Sequence, residues 1–358
     1  MEDCNILEHR DGTIEVGFYD LYTMTKVSKT QQPLFSFLLL LSVTLMVYNN
    51  QRVSRKEIAR YKRASATPLA SPILTLFTTF KPTADKRRIS ENVLRNWARL
   101  KPRVQPILYT HETDETLVKL AESLGWLTVS VPRVTSFKVP YWKEMFYEAP
   151  RHSNTTFYGF CNGDLLFDDG LVDTLTALEQ YLDYLEDVLV VGQRYNVDFK
   201  GQEVYKQSDV KALSRVGKLF EPYAIDYFFF AHNRFIWDKL ADVIIARPSY
   251  DNYILMKAIT NDFPVVDATN SILTVHLTGI DGNFAGFKNP GTKDFNIKAV
   301  EKFNTNLGFT NVSQYLTKIN NDSRIELWQR KPQQIINLHP RTKRVRVMKR
   351  TSFIPKVL

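Results

Sequence analysis

Between residues 73 and 131, short apolar β-rich runs alternate with stretches of helical spacing, and this alternation constrains the fold more than any other feature of the chain. Residues 73–80 read as a strand. Residues 90–100 place Val93, Trp97 and Leu100 at helical spacing, with Ser90 as the N-cap. Residues 104–110 form a second strand, 116–124 a second helix stopped by Gly125, and 127–131 a third strand. Such alternation predicts a parallel sheet covered by helices, an α/β fold. Downstream the same reading gives an apolar strand over 157–167, broken at Asn162-Gly163-Asp164, and then a helix around 170–185. A strand at 188–192, a polar loop near 200–218 and an apolar stretch at 225–230 follow. A helix over 251–260 and strands at 265–267 and 272–276 close the core, and the pattern weakens from about 290.

With 358 residues, 44% hydrophobic and 13% aromatic, the chain can bury a sizeable core, which excludes general disorder. The net charge of +9 divides unevenly: residues 52–63 carry +5, residues 341–358 carry +7 and residues 1–33 carry −3. The remaining body is therefore neutral, and its charge excludes a nucleic-acid-binding core. Cys4 and Cys161 alone cannot make a disulfide framework. Asn-x-Ser/Thr triplets begin at Asn154, Asn311 and Asn321.

Residues 34–48 follow Pro33 and carry no charge. They are short of the roughly 17–25 residues of a bilayer span, but Lys29 and Arg52 can snorkel to lengthen the segment. A buried core helix is the alternative; a single membrane anchor is the favoured reading. The expected organisation is a tail at 1–33, an anchor at 34–48, a stem at 49–71, a catalytic domain at 72–290, an extension at 291–340 and a basic tail at 341–358. The Lys/Arg excess on the C-terminal side of the anchor argues for a cytosolic body, and the three sequons argue for a lumenal one. Because long domains translocate largely regardless of charge, the expectation is a single-pass protein with its body in the Golgi or endoplasmic reticulum lumen.

Polar residues recur where strands end, the place at which open α/β sheets bind ligands. Asp164 is a carboxylate at a strand break, suited to holding a divalent cation against a phosphate. Asn-Gly is equally a two-residue hairpin turn, with Asp164 opening the return strand. Arg194 in Gly192-Gln-Arg-Tyr195 is placed to pair with a diphosphate. Asp226 sits in the apolar run Ala224–Phe230 and needs a partner if buried. Asp251 and Asn252 open a helix after Arg247-Pro248, where Asp251 is either a base or an N-cap, and His276 ends a strand. No Gly-x-Gly-x-x-Gly, Walker-type loop, His-Glu-x-x-His or Cys-x-x-Cys motif occurs.

This succession resembles the GT-A-fold glycosyltransferases of the nucleotide-diphospho-sugar transferase superfamily. The resembling blocks are Leu74–Pro82, Tyr158–Phe167, Val190–Tyr195, Ala224–Phe230, Ala246–Asn252 and Val265–His276, which together span about residues 72–287. The resemblance implies a GT-A-like sheet and transfer of a sugar from a nucleotide-diphosphate donor to a hydroxyl of a glycan, protein or lipid acceptor, with inversion as the expected outcome. It puts Asn162-Gly163-Asp164 at the Asp-x-Asp motif, so that Asp164 and His276 would bind Mn²⁺ or Mg²⁺. Asn162 departs from that motif and adds no charge. Asp251 matches the base of inverting members, with Asp226 as competitor. Thr78, Thr79, Asn162, Asp164, Arg194, Arg247 and Asn252 would bind the nucleotide sugar, and Lys143 is placed to neutralise phosphate. A nucleotidyltransferase fits less well, because the Gly-rich basic loop is missing after Phe80. The other reading is a membrane-tethered scaffold that keeps the fold without turnover, for which Asn162 is the best argument.

Overall fold

The structure, a computed structural model, describes residues 71–330 apart from 82, 233, 301 and 304, together with three short N-terminal strands. Residues 1–69 and 70–358 form two separate compact units. In the first, β1 (Asn5–Glu8), β2 (Ile14–Gly17) and β3 (Thr25–Val27) pair as an antiparallel meander. The expected anchor at 34–48, the stem up to residue 70 and the basic tail at 341–358 lie outside the described residues. Among the described residues, no helix is long and apolar enough to cross a membrane.

The second unit is built on strands β4 (Leu74–Thr78), β5 (Val104–Thr110), β6 (Leu127–Ser130), β7 (Phe157–Cys161), β9 (Leu189–Val191), β12 (Tyr227–Ala231) and β13 (Val265–Asp267), extended at one edge by β15 (Tyr315–Ile319) and β16 (Ile325–Gln329). Among the described residues these make one nine-stranded sheet in the order β16-β15-β13-β9-β12-β7-β4-β5-β6. All run one way except β12, antiparallel to both neighbours, and β16 at the edge. A smaller sheet, in the order β11-β10-β14-β8, is made by β8 (Leu165–Phe167), β10 (Tyr195–Asp198), β11 (Lys218–Leu219) and β14 (Thr274–Thr278). This is the expected α/β fold with a mainly parallel central sheet.

The central strands are near-continuous apolar runs because both faces of the sheet are covered. Phe157, Tyr227 and Phe229 face one core with Val93 and Trp97 of helix α1 (Ala84–Ala98). Tyr158, Phe160, Phe228 and Phe230 face the other, with Trp142 and Phe146 of α3 (Trp142–Glu148). Between two such strands there is no room for every side chain. Gly159 lies opposite Phe229 in register, and a Cβ there would come within 2.2 Å of its ring.

Several boundaries differ from the sequence reading. Helix α1 begins at Ala84, not Ser90, because its polar first turn carries no apolar periodicity; Ser90 is buried inside it and Thr83 is the N-cap. Helix α2 (Glu115–Ser123) is capped by the Asp114 carboxylate, which accepts from the Thr116 and Leu117 N–H groups. The expected helix at 170–185 is two helices, α4 (Gly170–Glu179) and α5 (Leu182–Leu185). The polar segment near 200–218 contains helix α6 (Gln207–Val216), whose apolar stripe is the narrow one of Val210, Leu213 and Val216 among charged neighbours, with only Val210 fully buried. Helix α7 (Tyr250–Thr260) follows the expected course. The sheet also continues past residue 290, since β15 pairs in parallel with β13.

Candidate functional site

The site forms where the chain crosses from one sheet to the other. Strand β7 pairs with β4 and β12, whereas β8 pairs with β14, so Asn162-Gly163-Asp164 is a crossing between sheets and not a hairpin turn. The crossing is tight. A Cβ on Gly163 would lie 3.0 Å from the Thr79 carbonyl oxygen and 2.8 Å from the Phe80 ring, so only glycine lets the motif sit against the end of β4.

Asp164 enters β8 beside β14, whose Leu277 N–H donates to the Asp164 carbonyl at 2.9 Å. This pairing brings His276 Nε2 to 3.2 Å from Asp164 Oδ2. His276 Nδ1 lies 3.1 Å from the Thr278 hydroxyl, so a hydroxyl donating to Nδ1 leaves the proton on Nε2, facing the carboxylate. The other carboxylate oxygen, Asp164 Oδ1, is buried without a hydrogen-bond partner. Burial by itself would push Asp164 upward; His276, Lys86 and Arg194 outweigh it and hold the group at about 2. Burial lowers His276 below its ordinary value, against the pull of Asp164.

A second group of side chains is closed on itself. Because β12 runs antiparallel to β7, its start lies beside the end of β7, and Asp226 just before it meets Asn162. The Asn162 amide nitrogen donates to Asp226 Oδ1 at 2.7 Å, and the Asn162 backbone N–H donates to the Asp226 carbonyl at 2.9 Å. The Asn162 amide oxygen accepts from the Tyr250 hydroxyl at 3.1 Å. Arg194, between β9 and β10, pairs through Nε with Asp226 Oδ2 and through Nη1 with the Asn196 amide oxygen. Its guanidinium also lies 4.6 Å from the centre of the Phe220 ring. Burial lowers Arg194 to about 10, which leaves it a cation at neutral pH, and both Asp164 and Asp251 act on it.

Asp251 is the second residue of α7. The backbone N–H groups of Asn252, Ile225 and Asp251 itself act to lower the proton affinity of its carboxylate. Burial is the largest influence and raises it to about 6. The helix start supplies only partial charges to oppose that.

The structure thus draws Asn162, Asp164, Arg194, Asp226, Asp251 and His276 into one constellation, with Thr79 packed against its glycine. Asp226 does not lie inside the apolar strand; it precedes the strand and is ion-paired. Thr78 is buried and its hydroxyl reaches only the Thr79 carbonyl, at 3.5 Å. Asn252 spends its amide nitrogen on the Tyr223 and Gly308 carbonyls at 2.8 and 2.9 Å. Arg247 donates to the Thr292 hydroxyl and the Ala246 carbonyl at 2.7 and 2.8 Å, and Lys143 pairs with Asp242 at 2.5 Å. These three serve local structure. Sequence reasoning passed over Tyr250 and Lys86. The first had a signal, since it stands next to Asp251; the second is hidden in the basic run Lys86-Arg87-Arg88.

Among the described residues, no group of three or more His, Cys, Asp or Glu side chains is arranged to hold a metal ion. What the described residues offer is a pair, the Asp164 carboxylate with one buried oxygen lacking a hydrogen-bond partner, beside an imidazole nitrogen of His276. Such a donor set fits Mn²⁺ or Mg²⁺ where substrate phosphates and water complete the shell.

No protein-family model and no curated protein matches the chain. Among solved structures it is similar to glucosyl-3-phosphoglycerate synthase from Mycobacterium tuberculosis in complex with Mn²⁺ and UDP, at 14% identity and a TM-score of 0.37, over 73% of this chain and 88% of that one. It is similar to a mannosyltransferase from Pyrobaculum calidifontis in complex with GDP-Man and Mn²⁺ (12% identity, TM-score 0.36, 63% and 65% of the two chains). A cytidylyltransferase from Leptospira borgpetersenii gives 12% identity and a TM-score of 0.38, over 65% of this chain and 99% of that one. The match to residues 1–349 of S. aureus TarS has 15% identity and a TM-score of 0.25, and takes in 36% of this chain and only 37% of that one. With every TM-score here below 0.5, likeness of this degree carries no inference by itself, and the functional reading rests on the geometry of the site.

Proposed function

We propose that the chain is a GT-A-like glycosyltransferase that moves a sugar from a nucleotide-diphosphate donor to a hydroxyl acceptor, with inversion and with help from a divalent metal. One arrangement carries this reading: Asp164, with a buried unpartnered oxygen and His276 at 3.2 Å, stands at the same end of the sheet as Asp251, whose proton affinity burial raises, with Arg194 acting on both. Glycosyl transfer needs two functions. The diphosphate leaving group needs positive charge. The acceptor oxygen needs a base whose proton affinity lies close to the working pH.

Asp251, at about 6, is the base in this reading; it accepts the acceptor proton as the acceptor oxygen attacks the sugar carbon. Asp226 is the poorer choice because Arg194 and Asn162 occupy both of its oxygens. Asp164 Oδ1 would hold Mn²⁺ or Mg²⁺, joined by His276 Nε2 once the ring proton moves to Nδ1 and the Thr278 hydroxyl accepts it; the metal when bound supplies charge against the departing diphosphate. Arg194 adds a fixed cation, and Asn162 ties Asp226 to Tyr250 within the second group. Asn162 favours the rival reading, a scaffold without turnover, since its amide brings no charge to the metal.

Calorimetric titration of UDP- and GDP-sugars with and without Mn²⁺ tests the proposal. Binding that requires Mn²⁺ and is lost in Asp164→Asn is the expected result. No binding under any condition would put the scaffold reading ahead. For location, the proposal keeps a membrane anchor at 34–48 and a lumenal body, supported by the exposed positions of Asn154 and Asn321 in their sequons. A glycosidase-sensitive mobility shift that disappears when these asparagines are replaced is its test.

A further inference from the structure

Lys86 is the third residue of α1, and its charge is placed differently from those of its neighbours. Arg87 and Arg88 pair with Glu91 on the same helix, at 3.3 and 2.9 Å, and stay at the surface. Lys86 instead turns inward, with 17% of its side chain exposed, and meets Asp281 Oδ1 at 2.6 Å. Its Nζ lies over the backbone of Gly279, 3.2 Å from where a Cβ would be, so a side chain at that position would push it aside by a few tenths of an ångström. Gly279 directly follows Thr278, the residue that orients His276. From there the Lys86 charge acts on both Asp164 and His276.

Asp281, by contrast, sits on a turn flanked by exposed apolar side chains. Gly282 next to it has φ +69°, a left-handed conformation that favours glycine. Ile280 before it is 91% exposed, and Phe284 and Phe287 farther along are 52% and 59% exposed. The Lys288 side chain donates to the Asp281 carbonyl at 2.7 Å, a bond within the same loop. A half-buried ammonium beside the proposed metal carboxylate is therefore neutralised by an acid whose own segment packs little apolar surface.

We propose that Lys86 is a diphosphate-binding residue and that Asp281 holds its charge in place of a phosphate, to be displaced when the donor binds. This rests on the reading of the site as one for a nucleotide diphosphate. Phosphate oxygens and a carboxylate offer a lysine the same charge-assisted hydrogen bond, so the two compete for one ammonium. Removal of Asp281 from the pair leaves Lys86, Arg194 and any bound metal facing the diphosphate. The 279–288 loop, once released, is free to re-seat beside the donor.

The test uses the full chain with UDP and Mn²⁺ in calorimetry, with thermal melts to verify folding. Lys86→Gln is expected to weaken UDP binding about tenfold, the value of one charge-assisted contact, and Lys86→Arg to recover most of it. Asp281→Asn is expected to act the other way and tighten binding by about threefold, because the competitor is gone. A bridge that only pins the loop predicts that both variants shift binding in the same direction, since both break it; that result, or unchanged binding in Lys86→Gln, overturns the proposal. If the unaltered protein binds neither UDP nor GDP with Mn²⁺, the nucleotide-site reading itself fails and this proposal falls with it. Binding by the unaltered protein with no effect of Lys86→Gln would sink this proposal alone.

Discussion

Asp164 and Asp251 are carboxylates of one site, both drawn away from water, and yet they differ by about four pH units: one is held at about 2 and the other raised to about 6. Burial pushes both upward. The difference lies in what faces each of them. Asp164, at the crossing between the two sheets, has His276 at 3.2 Å and the charges of Lys86 and Arg194 nearby. Asp251, at the start of α7, has backbone N–H groups and only the more weakly acting Arg194. A side-chain cation outweighs desolvation where partial backbone charges do not. The two regions are thereby fitted for different work, one to stay anionic beside a cation, the other to exchange a proton near neutrality.

The largest effect expected from breaking this contrast is on turnover. Asp251→Asn removes the base and leaves the amide in the same place, so donor-dependent transfer should fall about 10²- to 10⁴-fold with little change in UDP binding. In the unaltered protein the rate should rise with pH through about 6, because the base acts only when deprotonated. A pH–rate series on both proteins checks this: the acid limb should be missing from the residual activity of the variant. An Asp251→Asn protein with full activity would remove Asp251 from the mechanism.

Among the described residues, Arg194 is the cation that acts on both carboxylates, and it also neutralises Asp226. Its side chain is 4% exposed and that of Asp226 13%, so Arg194→Met would leave a buried acid held by Asn162 alone. Breaking a buried pair from one side costs about 3–5 kcal/mol, and chemical denaturation should register a loss of that size. Asp226→Asn in the same background should return part of it, since the uncompensated charge is then gone. A stability loss below about 1 kcal/mol, within the range of a surface ion pair, would mean that the network is solvated and contributes little order to the site.

How much of this was visible in the chain follows from the range over which each feature is determined. The strands around Asp164 and His276 were legible because apolar runs bounded by polar residues are local signals. The direction of β12 was not, since a strand buried on both faces, such as Tyr227–Ala231, has the same apolar composition whichever way it runs. That direction decides the site, as it brings Asp226 to the end of β7. The role of Asn162 was hidden for the same reason: read as a weakened metal motif, it is a bridge to a residue 64 positions away. An aspartate at 162 would confront Asp226 with a like charge, so the amide suits its neighbour. Helix α6 was passed over although Val210, Leu213 and Val216 stand at helical spacing, because the charged residues around them made the segment read as a loop. Asp251 was recognised as a helix opener, but its raised proton affinity depends on packing that no local pattern encodes.

The smallest expected effect concerns stability, and it has opposite signs in the two regions. The folded-state pKa of Asp251, about 6, lies above its ordinary 3.8, so the fold binds this proton more tightly than the unfolded chain does. Its contribution to stability is fully present below about pH 4 and is lost as pH rises through about 6. At pH 7.5 the ionised group therefore costs stability, by up to about 3 kcal/mol at roughly 1.4 kcal/mol per unit of pKa, and less because the carboxylate is only partly buried. Asp251→Asn should accordingly be more stable than the unaltered protein by about 1–2 kcal/mol at pH 7.5, with the gain vanishing near pH 4. Asp164 runs the other way. Its folded-state value lies below 3.8, so ionisation favours the fold at neutral pH, and Asp164→Asn should be the less stable protein there. Denaturation midpoints of the two variants at pH 4, 6 and 7.5, measured without metal, decide the matter. If both variants lost stability at pH 7.5, the separation of one carboxylate that stays charged from one that takes a proton would not exist in solution.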